Sequence, residues 1–167
     1  EKDKIFNGKV AWITGASSGI GEALVLEFVR RGAIVVASSN DLQGLERVKA
    51  ACGNKSIMVH CVPFDLADSA GINDIVDRQM KARMRIDFLL NIGGISQRAR
   101  IEETPMWLDR KIFEINYFGT IALTKAVLPY MIRQQSGHIL ATSSISGRFG
   151  FPSRSAYSAS KQALHGF

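Results

Sequence analysis

At 167 residues, 46% apolar and 22% charged, the chain has the size and make-up of one globular domain with a core of its own, and disordered, collagen-like and disulfide-stapled classes are excluded. The net charge of +6 arises from scattered Lys and Arg with no long run of like charge, so a solvated surface is expected and nucleic acid is not an expected partner. Cys52 and Cys61 form no CxxC, and of the histidines only the adjacent His60 is near them, so no metal site is expected and reduced thiols of a cytoplasmic protein are. No stretch approaches the roughly 18 apolar residues of a membrane span. The chain opens at Glu1 without methionine, which leaves room for an upstream targeting segment or anchor.

Short apolar runs alternate with helical patterns throughout. Lys9 to Ile13 reads as a buried strand ending on Thr14-Gly15, and Ile20 to Arg31 as a helix with Ile20, Leu24 and Phe28 on one face, closed by Gly32. Ala33 to Ala37 is a second strand, followed by a helix from Asp41 to Ala51 capped by Asn40 or Asp41. Ser56 to Val62 is expected as the third strand, ended by Pro63. Ile72 to Met84 carries Ile72, Ile75, Val76, Gln79 and Met80 in one stripe. Ile86 to Leu90 is a fourth strand. A long helical stretch, with room for a break, runs from Pro105 to Gln134, and His138 to Thr142 is a fifth strand. A last helix starts near Ser155. Strands that are apolar throughout and separated by helices predict one Rossmann-type, doubly wound α/β domain over residues 1–167, with a parallel sheet in the order 3-2-1-4-5. A six-strand version of this fold needs a further strand after the last helix, so the sheet is expected to be incomplete at its C-terminal side.

Two motifs carry chemistry. Thr14-Gly-Ala-Ser-Ser-Gly-Ile-Gly21 joins the first strand to the first helix. Glycines there let backbone approach a pyrophosphate, while the helix N-terminus offers free N–H groups and the positive end of its dipole. Gly15, Ser17, Ser18, Gly19, Ile20 and Gly21 are therefore candidate dinucleotide contacts. The second motif is Tyr157-Ser-Ala-Ser-Lys161, in which four-residue spacing on a helix puts phenol and ammonium on one face. Of the three tyrosines only Tyr157 has this partner, since Tyr117 is followed by Ile121 and Tyr130 by Gln134. One ammonium at about 4 Å contributes around 4 kcal/mol at an effective dielectric of 20, enough to bring a phenol toward acid–base work near neutrality.

With its Gly-x-x-x-Gly-x-Gly spacing and Tyr-x-x-x-Lys, the sequence resembles the short-chain dehydrogenase/reductase family over nearly its whole length. Asp65-Leu66, Asn91-Ile-Gly-Gly94, Asn116-Tyr-Phe-Gly-Thr120, Ser143-Ser144 and Gly147 match further family pieces, and Asn91-Ile-Gly-Gly-Ile-Ser-Gln-Arg98 is most similar to the member 7-like branch of the dehydrogenase/reductase group. The resemblance implies hydride transfer between a nicotinamide and a carbonyl or secondary alcohol, with a steroid, retinoid or other lipid carbonyl as candidate substrate. It implies a catalytic tetrad of Asn116, Ser144, Tyr157 and Lys161. Ser144 is preferred to Ser143 or Ser146 because it lies thirteen residues before the tyrosine, as the family's serine does. Asn116 would anchor a water that links Lys161 to solvent. Asp65, Leu66, Asn91 and Gly93 would join the cofactor contacts, and Lys161 would also hold the nicotinamide ribose. The resemblance further implies a homodimer or homotetramer, a substrate lid C-terminal to these residues, and, through an upstream segment, endoplasmic-reticulum membrane association as the alternative location.

The family's Asn-Asn-Ala-Gly is here Asn91-Ile92-Gly93-Gly94, which removes one amide from the adenosine side. At the end of the second strand, Ser39 and Asn40 stand where an acid would select NAD or an arginine NADP. The missing acid tilts the expectation to NADP(H) over NAD(H). A reading of another class is a cofactor-binding protein without turnover, and the intact tetrad favours the enzyme.

Overall fold

The computed structural model describes residues 5–83 and 85–167. Five strands, β1 (Val10–Thr14), β2 (Ile34–Ser38), β3 (Val59–Cys61), β4 (Phe88–Asn91) and β5 (His138–Ala141), form one sheet in the order β3-β2-β1-β4-β5, all neighbours parallel. The expected order is thus observed. Among the described residues six α-helices surround it: α1 (Gly19–Arg30), α2 (Leu42–Ala51), α3 (Ile72–Arg83), α4 (Met106–Phe113), α5 (Thr120–Gln134) and α6 (Ser155–Gly166).

Alternation along β1 sorts the core into two layers, because successive side chains leave opposite faces of a strand. Ala11 and Ile13 pack with Val25 and Phe28 of α1 and with Leu45 and Val48 of α2. Val10 and Trp12 pack with Ile72, Val76 and Met80 of α3 and with Leu123, Val127 and Met131 of α5. Trp12 is fully buried yet satisfied, its indole N–H donating to Ser38 Oγ at 2.9 Å. Both faces of the central strands are covered, which explains their unbroken apolar runs.

Several boundaries move. The third strand is only three residues long, and residues 56–58 belong to a 3₁₀ segment (Gly53–Met58) that leaves Ile57 exposed. Gly53, at φ +58°, turns the chain out of α2 at that point. On α1 the buried face is Gly21, Val25, Phe28 and Val29, not one beginning at Ile20, which is 65% exposed because the first turn opens onto a cleft. Asp41, rather than Asn40, caps α2, accepting Gly44 N–H at 2.9 Å. The break expected between 105 and 134 is a π-helical turn at Glu114–Gly119. The expected end of the third helix at Met84 lies outside the described residues. Among the described residues no helix is long and apolar enough to cross a membrane.

Asp87 ties β1 to β4. Its buried carboxylate accepts Val10 N–H at 2.8 Å, is gripped by Arg85, and lies 3.5 Å from Lys9. Burial pushes its pKa up, but the Arg85 hydrogen bond, the Val10 N–H and the charges of Arg85 and Lys9 prevail and hold it below the ordinary 3.8. A carboxyl lowered by folding stabilises above its unfolded pKa, and that contribution is lost as pH falls through the folded value. Asp87→Asn should therefore cost about 1–3 kcal/mol of stability at neutral pH, and its deficit should shrink under acid conditions below 3.8; urea melts of both proteins at two pH values check this.

Candidate active site

Where strand order reverses, the loops leaving β1 and β4 run to opposite sides of the sheet and a crevice opens at their C-terminal ends. Thr14 Oγ1 closes its floor by accepting the N–H groups of Ile92 (3.0 Å) and Gly93 (3.1 Å). Gly15 has φ +63°, and a Cβ there would sit 2.7 Å from Gly93 Cα. A Cβ on Gly21 would fall 2.1 Å from the Gly15 carbonyl oxygen, so the start of α1 packs directly on the turn. Gly19, at φ +55°, has open space beyond it, and Ser18 makes no side-chain cap, which leaves the first turn of α1 facing the cleft.

The cleft holds about 390 Å³ and is lined by Gly15, Ser17, Ser18, Gly19, Ile20, Gly21, Ser39, Asn40, Asp65, Leu66 and Gly93, all expected from the sequence as cofactor contacts. Asn91 is not among the lining residues. It is buried, donates to Thr124 Oγ1 at 3.2 Å, and its carbonyl accepts Thr142 N–H at 3.0 Å, so it supports the strand end instead. Ser38, Phe64, Gly94, Ile95 and Ile115 line the cleft without having been named as cofactor contacts, although Gly94 and Ile95 lie in the Asn91–Arg98 motif. An apolar wall residue outside any motif carries no signal, which is the case for Phe64 and Ile115. At one end Ser17 Oγ and Ser39 Oγ are 2.9 Å apart, while Arg47 from α2 donates to the Ser17 carbonyl at 2.8 Å and pairs with Glu22.

None of Asn116, Ser144, Tyr157 and Lys161 lines that cleft; Asn116 and Lys161 adjoin it through Gly94, whose Cβ would meet Asn116 Oδ1 at 3.0 Å and Lys161 Nζ at 3.6 Å. Asn116 lies in the π turn and is fully buried. Its Oδ1 accepts Ile95 N–H at 2.8 Å, and its Nδ2 donates to the Ile95 carbonyl at 2.9 Å and to Ser160 Oγ at 3.0 Å. Both amide protons are engaged, so a water held by this side chain would have to donate to Oδ1. Ser160 escaped the sequence reading because a serine between two motif positions carries no mark of burial.

Lys161, only 5% exposed, donates from Nζ to the Thr142 carbonyl at 2.8 Å. Its Nζ lies 5.9 Å from the centroid of the Tyr157 ring. Ser144 Oγ accepts Ser146 N–H at 3.1 Å, which leaves its own proton to donate. Elsewhere, burial first and Glu46 second push the Cys61 thiol up to about 11, so it is no thiolate near neutrality. Among the described residues no three His, Cys, Asp or Glu are grouped to hold a metal ion.

A parallel sheet with a glycine-lined crevice at its switch point is the arrangement of a dinucleotide-binding fold. The family model for short chain dehydrogenase matches residues 9–167, and the chain belongs to that family. It is 44% identical over 164 residues to the dehydrogenase/reductase SDR family protein 7-like of Drosophila melanogaster, covering 96% of this chain and 50% of that protein. It is 43% identical to human dehydrogenase/reductase SDR family member 7, covering 95% of this chain and 48% of that one. The chain thus spans about half the length of these curated relatives. Among solved structures, a short chain dehydrogenase/reductase of Burkholderia phymatum in complex with NAD superposes with TM-score 0.91 at 28% identity, over 96% of this chain and 58% of that one. A short chain dehydrogenase of Escherichia coli CFT073 complexed with NADPH gives TM-score 0.92 at 26% identity, over 99% and 71%.

Gly15→Ala places a side chain at positive φ and against Gly93, so it should lose at least about 2 kcal/mol of stability together with dinucleotide binding, measured by thermal melts with and without NADPH. Burial pushes the Lys161 ammonium below its ordinary 10.5. The unfolded state then binds more protons between the folded value and 10.5, so this group's destabilising effect is full below the folded value and fades as pH rises through it toward 10.5. Lys161→Met should match or exceed the parent in Tm at neutral pH, with the gap narrowing in alkaline buffer.

Proposed function

We propose that this chain is the cofactor-binding and catalytic core of an NAD(P)-dependent oxidoreductase that moves a hydride between nicotinamide and a carbonyl or secondary-alcohol carbon. The observation that carries it is the convergence of Gly94, Asn116 and Lys161 at the end of a glycine-lined cleft. The fit to a dinucleotide rests on the Gly15, Gly19 and Gly21 cradle, where added side chains would strain the turn or meet backbone, and on the uncapped first turn of α1. The NAD and NADPH complexes of the two structural relatives support the same assignment.

A bound nicotinamide would supply or accept the hydride. Gly15 and Gly19 to Gly21 would take the pyrophosphate, and Ser17, Ser39 and Asn40 the adenosine ribose end. Asp65 and Leu66 would flank the adenine, and Gly93 would let the dinucleotide pass close to β4. Tyr157 is the general acid in the reducing direction, donating from Oη to the carbonyl oxygen, and the base in the other. Ser144 holds the same oxygen with the O–H left free by its bond to Ser146, stabilising charge that develops there. Lys161, whose Nζ donates to the neutral Thr142 carbonyl, keeps its positive field directed at the phenol and the ribose. Asn116 fixes the backbone of Ile95 beside that ring.

Serines in place of an acid at the end of β2 favour NADP(H), and a steroid, retinoid or other lipid carbonyl suits the apolar Ile92, Ile95 and Ile115 wall. Exposed Trp107, Phe118, Leu128 and Ile132 on α4, the π turn and α5 suit a homodimer or homotetramer contact.

In the full chain Tyr157→Phe should lower kcat by at least about a hundredfold while NADPH affinity, followed by intrinsic fluorescence, is kept. Turnover surviving that change would remove Tyr157 from its role, whereas tight NADPH binding without turnover of retinal, a steroid ketone or an aromatic aldehyde by the parent would favour a binding protein. The Kd for NADPH should lie below that for NADH, and the opposite ratio would overturn the cofactor preference.

A further inference from the structure

The N-cap position of α6 is held by Arg154, whose side chain makes no capping bond. The helix that carries Tyr157 and Lys161 therefore lacks the local oxygen that ordinarily satisfies its third amide. That oxygen arrives from another part of the chain. Gln97 Oε1 accepts Tyr157 N–H at 3.2 Å, and Gln97 Nε2 donates to Ser155 Oγ at 3.3 Å, so both ends of one amide are spent on the first turn of α6. Gln97 is 6% exposed, and a buried polar side chain with both groups engaged fixes direction as well as position.

Two further hydrogen bonds tie the same two segments: Arg154 donates to Ser96 Oγ, and Ala99 N–H donates to the Ser153 carbonyl at 3.2 Å. Within the helix start, the Arg154 guanidinium lies 5.7 Å from the Tyr157 ring centroid. Ser153 stands at φ +63°, a conformation a serine adopts only where its surroundings compel it. Two residues before Gln97, Ile95 lines the cleft and is bound through its backbone to Asn116. The segment 95–99 thus touches the cleft wall at one end and the phenol's helix at the other.

We propose that Gln97 is a positioning residue: it caps the Tyr157 helix from the loop after β4 and so sets the phenol's place relative to the cofactor cleft. The inference rests on the reading of Tyr157 as the proton donor. Gln97 acts through the backbone of Tyr157 and is not among the residues that line the cleft. Gln97→Leu removes both bonds, whereas Gln97→Glu keeps an oxygen to accept the Tyr157 amide.

The test uses the full chain with tyrosine labelled in heavy nitrogen, the Tyr157 amide signal being the one missing from Tyr157→Phe. In Gln97→Leu that amide should exchange with solvent at least about tenfold faster while the Tyr117 and Tyr130 amides keep their rates, and Gln97→Glu should restore protection. With retinal and NADPH, kcat should fall about tenfold or more in Gln97→Leu with KM and the NADPH Kd within about twofold, and return in Gln97→Glu. An unchanged Tyr157 amide in Gln97→Leu overturns the proposal even if retinal is not turned over. So does a loss in Tm, NADPH affinity and all three amides together that Gln97→Glu fails to rescue, which would mark Gln97 as generally structural. If Tyr157→Phe keeps full turnover while Gln97→Leu still exposes the amide, the reading of Tyr157 fails and the cap stands.

Discussion

The buried amide of Asn116 is the joint on which the site depends. It makes three hydrogen bonds in surroundings that exclude water, and each runs to a different need: the Ile95 N–H, the Ile95 carbonyl, and Ser160 one residue before Lys161. A buried polar group left unpaired costs about 1–3 kcal/mol, so these bonds are demanded once the side chain is enclosed. Through them the loop that walls the cleft and the helix that carries the Tyr–Lys pair are placed relative to one another. Only a turn wider than an α-helix brings the amide to that point, and the π turn at Glu114–Gly119 supplies it.

Around this joint the sheet fixes the larger geometry. Parallel pairing puts the C-terminal ends of β1, β2 and β4 side by side, and the strand reversal between β1 and β4 opens the crevice there. Thr14 fastens the two strand ends by one hydroxyl oxygen that accepts two amides, which keeps the crevice floor rigid where Gly15 and Gly93 approach each other. Asp87 performs the corresponding fastening at the opposite ends of the same strands. The crevice is thus a consequence of topology, held at top and bottom by two short-range polar contacts.

Strand order and the glycine turn were legible in the sequence, because they rest on alternating hydrophobic patterns and on a backbone conformation that only glycine adopts freely, whereas the long helical stretch from Pro105 showed only room for a break where the structure has α4, a π turn and α5. The cleft lining at Gly15 and at Ser17 to Gly21 followed from that turn, while Ser39, Asn40, Asp65, Leu66 and Gly93 followed from the resemblance to the short-chain dehydrogenase/reductase family. What was not legible depends on contacts between distant residues. Residues 56–58 look like strand but turn as a 3₁₀ segment, since Gly53 redirects the chain before it joins the sheet. Ile20 fits a helical stripe but faces the cleft, because the first turn of α1 is where the ligand-facing amides must stay open. Asn91 reads both as a cofactor contact and as support for the turn after the fourth strand, and its bonds to Thr124 and Thr142 put it in the second place, away from the cleft. Ser160 and Gln97 have meaning only through partners 44 and 60 residues away.

The wide turn at 114–119 separates architecture from chemistry in an unexpected way. A π turn holds one residue more than the α-helical path it interrupts, so the segments before and after it keep the facing they would have in an uninterrupted rod. Shortening this stretch by a single residue would leave Ile112 and Leu123 still directed at the interior. The amide alone would be swung off its three partners. The molecule therefore stands one deletion from a look-alike that shares its outline but lacks the joint between Ile95 and Ser160.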